Sequence, residues 1–90
     1  MPDDNGAPGN QDPIAQFLHE LLVKLVDVPD QVAVRVLPGN PTLYEATVAP
    51  EDVGQVVGRE GRIVKSIRTL VAAAGQKRGE RATFEIADGL

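Results

Sequence analysis

The chain has no cysteine and no tryptophan, and it carries a single histidine, a single tyrosine and two phenylalanines in 90 residues. Without cysteine there is no disulfide and no thiolate site. Apolar runs are short, far below the roughly 18 residues that a membrane span needs, and no basic-then-apolar leader opens the chain. Cytoplasm is therefore the expected compartment. The scarcity of aromatic rings argues against binders that stack bases on aromatic platforms, the RRM and OB types. Enzymatic chemistry has little to draw on. No Ser/His/Asp set lies close in sequence, and His19 sits off the apolar stripe of its helix as a solvated residue. The paired carboxylates Glu51 and Asp52 are explained by the first turn of a helix. No phosphate-binding fingerprint of the Walker or dinucleotide type is present, and no cofactor is implied.

What is present divides unevenly. Residues 1–57 hold two basic groups, Lys24 and Arg35, against nine acidic ones, a net charge of −7. Residues 58–90 hold seven basic groups against four acidic ones, a net charge of +3. The overall −4 thus conceals a positive field confined to the C-terminal third, which suits local phosphate contacts and not general coating of nucleic acid.

Residues 1–11, rich in Pro, Gly, Asp and Asn, read as a disordered tail, and residues 12–90 as one domain. Asp12-Pro13 is a helix start, with Asp12 as N-cap and Pro13 in the first turn. Ile14, Phe17, Leu18, Leu21, Leu22 and Leu25 then form one apolar stripe at helical spacing, and Pro29 ends the helix by Val28. Gln31 to Leu37 alternates with Val32, Val34 and Val36 on one side. Pro38-Gly39-Asn40-Pro41 is a turn, and Thr42 to Ala49 resumes alternation with Tyr44, Ala46 and Val48 inward, giving an antiparallel hairpin. Pro50-Glu51-Asp52 opens a short helix that buries Val53, Val56 and Val57. A second helix from about Arg62 carries Ile63, Val64, Ile67, Leu70, Val71 and Ala74 on one face, with Gly75 as its C-cap. A polar loop leads to a last strand, Arg81 to Ala87, with Ala82, Phe84 and Ile86 inward. Phe17, Tyr44 and Phe84 are all expected in the core. The order is α-β-β-α-α-β: an α+β, two-layer sandwich on a three-stranded mixed sheet, whose last two strands run parallel across a two-helix crossover.

Val56-Val57-Gly58-Arg59-Glu60-Gly61-Arg62-Ile63-Val64 joins the two adjacent helices. Two glycines three positions apart permit a tight turn, and the next helix begins directly from it. Its unpaired N–H groups and positive dipole end face the loop, where an anion such as phosphate fits. In isolation such a turn serves chain reversal as readily as binding. Within this element order, however, it resembles the G-x-x-G signature of a KH domain, in the type II arrangement. The run from Gly58 to Gly75 is similar to the small single-domain bacterial KH proteins known as KhpA, and the resemblance covers about residues 12–88. It implies single-stranded RNA held at the loop by Val57, Gly58, Arg59, Glu60 and Gly61, with Arg62, Lys65 and Arg68 extending phosphate contacts along the helix. It also implies bacterial post-transcriptional regulation, and a homodimer or pairing with a second KH-bearing, KhpB-like protein. Glu60 places a carboxylate where many KH loops are basic or small, which weakens phosphate contact locally, and Val64 replaces a common isoleucine. The alternative is a dimerisation module of the same fold with vestigial RNA affinity.

Overall fold

The computed structural model describes residues 12–87; the expectation of a disordered tail at 1–11 lies outside them. The elements are α1 (Pro13–Leu25), β1 (Ala33–Leu37), β2 (Thr42–Thr47), α2 (Val53–Val57), α3 (Arg62–Lys77) and β3 (Ala82–Ala87). One-turn 3-10 segments occupy Pro29–Gln31, Pro50–Asp52 and Arg59–Gly61. The sheet order is β1-β2-β3, with β1 antiparallel to β2 and β2 parallel to β3. The α+β architecture, three helices on a three-stranded mixed sheet, is the one expected of a single KH domain.

Alternation assigns the two faces of the sheet. Val34, Tyr44, Ala46, Ala82 and Phe84 are buried under the helices with Leu18, Leu22, Val56, Ile67 and Val71. Arg35 and Glu45 pair across strands on the opposite face at 3.2 Å. Asp12 caps α1 as expected, its Oδ1 accepting from the Ile14 and Ala15 N–H groups at 2.8 and 3.2 Å.

Several expectations are corrected. The first two strands are shorter than their alternation suggested, Ala33–Leu37 and Thr42–Thr47: Gln31 falls in the proline-led 3-10 turn before β1, and Val48 and Ala49 lead from β2 into the one at Pro50–Asp52. Phe17 and Leu70 are not core: they are 50% and 51% exposed. Both sit at the rim of their stripes, because the buried faces of α1 and α3 swing toward small residues, Ala15 and Gly75, that let the layers approach closely. Gly75 is not the C-cap. It lies buried within α3, where a Cβ would come 2.8 Å from that of Ala82. The helix ends in a Schellman motif two residues on: Glu80 N–H donates to the Gly75 carbonyl and Gly79 N–H to that of Gln76, both at 3.0 Å, with Gly79 at φ 75°.

Asp52 also departs from expectation. Its carboxylate makes no capping bond to α2; it is fully buried and accepts from the N–H groups of Asp27 and Val28 at 3.1 and 3.0 Å. Gln55 reinforces that tie, its Nε2 donating to the Leu25 carbonyl at 2.8 Å. A five-residue helix has little stability of its own. The end of α1 therefore fixes α2, and α2 fixes the loop that follows.

Candidate nucleic-acid interface

Gly58 N–H closes α2 on the Gly54 carbonyl at 2.9 Å, after which the chain turns at Gly58 with φ 78° and ψ 176°. That backbone region is open essentially to glycine alone. A side chain there would also strike Ile63, its Cβ falling 2.7 Å from Cγ1. Glu60 follows at φ 56° and Gly61 at φ 74°, two successive left-handed residues, the first of them not glycine. Gly61 N–H returns to the Gly58 carbonyl at 3.2 Å, and α3 starts at once with no side chain capping it. The Arg62 N–H bonds back to the Arg59 carbonyl, and no side chain caps the N–H groups that follow it at the start of this 16-residue helix.

The charged side chains lie around that helix end. Those of Arg59 and Lys65 are exposed and have no ion-pair or hydrogen-bond partner among the described residues. Arg62 lies 3.7 Å from Glu60, with side chains 79% and 80% exposed, an ion pair of small net value. Val57 is half-buried behind the loop. Arg62, Lys65, Thr69, Ala72 and Gln76 fall at helical spacing along one exposed line of α3, leading away from the glycine turn.

Arg68 points elsewhere. Its Nε donates to the Phe84 carbonyl at 3.1 Å, at the rim of the sheet. Register shows which rim. Thr42 N–H donates to the Arg81 carbonyl at 2.9 Å, so odd-numbered residues of β3 direct their backbone groups toward β2. Ala82, Phe84 and Ile86 therefore direct theirs outward from the free edge, since a residue in a parallel ladder has N–H and C=O on one side. Between that edge and the exposed side of α3 lies an open furrow of about 650 Å³, lined among others by Thr69, Ala72, Ala73, Gln76 and Ala82. Small residues on the helix leave it wide. The loop, the stripe and the furrow lie side by side along α3, and among the described residues Glu60 at the loop and Glu80 at the furrow bring negative charge to them.

A family model described as KhpA/KhpB, KH domain, matches residues 15–86, through the glycine turn and both flanking helices. The chain belongs to the KhpA/KhpB KH-domain family. It is 44% identical over 72 residues to a protein of Clostridium acetobutylicum, covering 79% of this chain and 96% of the relative. It is 49% identical over 74 residues to one of Caldanaerobacter subterraneus, covering 81% and 99%. It is 38% identical over 72 residues to one of Chlamydia pneumoniae, covering 79% and 92%. All three are named RNA-binding protein KhpA. The family is one of RNA-binding proteins and not of enzymes. No solved structure matches the chain significantly. Among the described residues no helix is long and apolar enough to cross a membrane, and no cluster of His, Cys, Asp and Glu could hold a metal ion.

Two features of the site escaped sequence reasoning. The left-handed conformation of Glu60 has no composition signal, because glutamate does not favour it. The turning of Arg68 to the β3 edge could have been found only by phasing α3 against the strand it covers.

Proposed function

We propose that this chain binds single-stranded RNA, its backbone held at the Gly58–Gly61 turn and its bases laid along the furrow between α3 and the free edge of β3. The observation that carries this reading is the N-terminus of α3, which no side chain caps, presented by a glycine-dependent turn and flanked by the side chains of Arg59 and Lys65, which have no partner among the described residues. Arg62 and Arg68 add positive charge on the same side, while Val57 backs the turn. Glu60 tempers the site by its contact with Arg62. The naming of the relatives as RNA-binding proteins supports RNA as the ligand; the setting proposed with it is the bacterial cytoplasm and the process post-transcriptional regulation.

The test is Arg59→Asp combined with Glu60→Asp, which replaces no glycine and touches no core residue. Wild-type affinity is expected on the order of micromolar to tens of micromolar at physiological salt. Neutralising about three phosphates gives a log–log salt slope of roughly −2 for a single strand. In fluorescence anisotropy the variant should lose binding while keeping its unfolding midpoint. Equal affinities would move the binding surface elsewhere.

One observation favours a second, compatible reading. The half-exposed Phe17 and Leu70 face a groove of about 400 Å³ between α1 and α3, lined also by Pro13, Ile14 and Ala74. That apolar face suits association with a second KH-bearing chain, a copy of itself or a KhpB-like protein, on the side away from β3.

A further inference from the structure

We propose that Arg68 determines base preference at the β3 edge beside the furrow, selecting guanine and uracil, which can present a carbonyl acceptor there, over adenine and cytosine, which present an amino group in its place. This rests on the RNA-binding reading and goes beyond it. A bare strand edge offers a carbonyl acceptor beside an N–H donor. Adenine and cytosine match that pattern, since each carries an amino donor next to a ring-nitrogen acceptor. The edge at Phe84 is not bare. Phe84 lies midway along β3 with its backbone groups turned outward, and its carbonyl is already taken by Arg68 Nε at 3.1 Å. An amino group arriving there finds no acceptor. It finds instead the two terminal nitrogens of the guanidinium, which have no partner among the described residues, and the free N–H of Phe84. At Phe84 itself every group on offer is a donor, the other outward carbonyls of the edge being those of Ala82 and Ile86 on either side.

Donors in a fork match guanine O6 and N7, the commonest specific contact that arginine makes with a base, and match the O4 carbonyl of uracil. The same geometry removes Arg68 from simple phosphate duty. Its Nε is anchored, so its plane is held at the base-reading edge and not at the loop. Arg59, Arg62 and Lys65 remain to neutralise the backbone. Arginine is needed because the role combines an anchoring nitrogen with two others that stay free, an arrangement lysine cannot reproduce.

Short oligo(U), oligo(GU), oligo(A) and oligo(C) ribonucleotides, titrated by fluorescence anisotropy against the whole chain, test this. The wild type should bind oligo(U) and oligo(GU) on the order of tenfold more tightly than oligo(A) and oligo(C). Arg68→Lys keeps the charge and helix propensity of an exposed site, so it should fold and bind while the ratio falls to near one. Arg68→Gln supplies an acceptor as well as a donor and should move the preference toward oligo(A). A wild-type ratio near one, or a ratio unchanged in Arg68→Lys, overturns the assignment and leaves RNA binding standing. Failure of the wild type to bind any of the four overturns both readings together.

Discussion

The two glycines of the turn are not equivalent, although the sequence presents them as a symmetric pair. Gly58 combines a backbone conformation closed to other residues with a contact to Ile63 too short for any Cβ. Gly61 has the left-handed φ of 74° but open space: a Cβ there would lie 3.8 and 3.9 Å from its nearest neighbours, Lys65 and Val64. Gly61→Ala is therefore expected to cost about 1 kcal/mol, the strain of a left-handed residue alone. Gly58→Ala adds a clash that must shift Ile63, and is expected to cost about 3 kcal/mol. Chemical denaturation of the two variants checks the ordering. Equal losses would show that Ile63 gives way freely and that the close approach is unimportant. Neither number was legible in the spacing, because a G-x-x-G pattern records conformational freedom and not what lies opposite it.

At the scale of elements, the short α2 shows where sequence pattern stops. Its apolar residues were readable, and Val56 is fully buried as the pattern demands. Its anchorage was not, because Asp52 in a first helical turn looks like an ordinary dipole partner. Only the fold brings the N–H groups of Asp27 and Val28, 25 and 24 positions earlier, onto that carboxylate. Removing it by Asp52→Ala leaves two N–H groups without their acceptors at a part-buried site. Losing charge-assisted bonds of this kind costs about 2–4 kcal/mol. RNA affinity should fall as well, even after allowing for the unfolded fraction, because the loop loses its footing on α1. Calorimetry with anisotropy at low temperature separates the effects; a stable variant with normal affinity would show that α2 holds its place without Asp52. The longer elements were legible for the complementary reason. Their periodicity reflects burial on one face, a whole-element property, whereas Phe17 and Leu70 lie at stripe edges where the pattern cannot tell rim from core. Gly75 was misread because a glycine near a helix end signals a cap unless a strand lies against it.

Across the whole molecule, one small ionic cluster ties together segments from both ends of the described chain. Asp12 Oδ2 accepts from the Tyr44 hydroxyl at 2.9 Å, joining the start of α1 to the central strand. Its Oδ1 takes Arg78 Nη1 at 3.3 Å, joining both to the connection between α3 and β3, where Arg78 Nε also lies 3.0 Å from Glu80. Burial works to raise the Asp12 carboxyl, but the bonds from Tyr44, the Ala15 N–H, Arg78 and the Ile14 N–H outweigh it and hold the group below its ordinary value. Burial, and then the bond to Asp12, push the Tyr44 hydroxyl up to about 12. Each shift has its own consequence for stability. A depressed carboxyl contributes stability that is full above its unfolded value near 4 and is lost as pH falls through its lower folded value. A raised phenol contributes stability that is full below its unfolded value near 10 and is lost between there and about 12. Thermal midpoints measured from acid to alkaline pH should therefore hold level between about 5 and 9 and fall on either side. In Asp12→Asn the acid limb should flatten, since the asparagine does not titrate, and the plateau should drop with the weakened cap and lost ion pair. The alkaline limb should shift to lower pH only in part, because burial of Tyr44 persists without the carboxylate. An unchanged acid limb in the variant would show that Asp12 is not the source of the acid sensitivity.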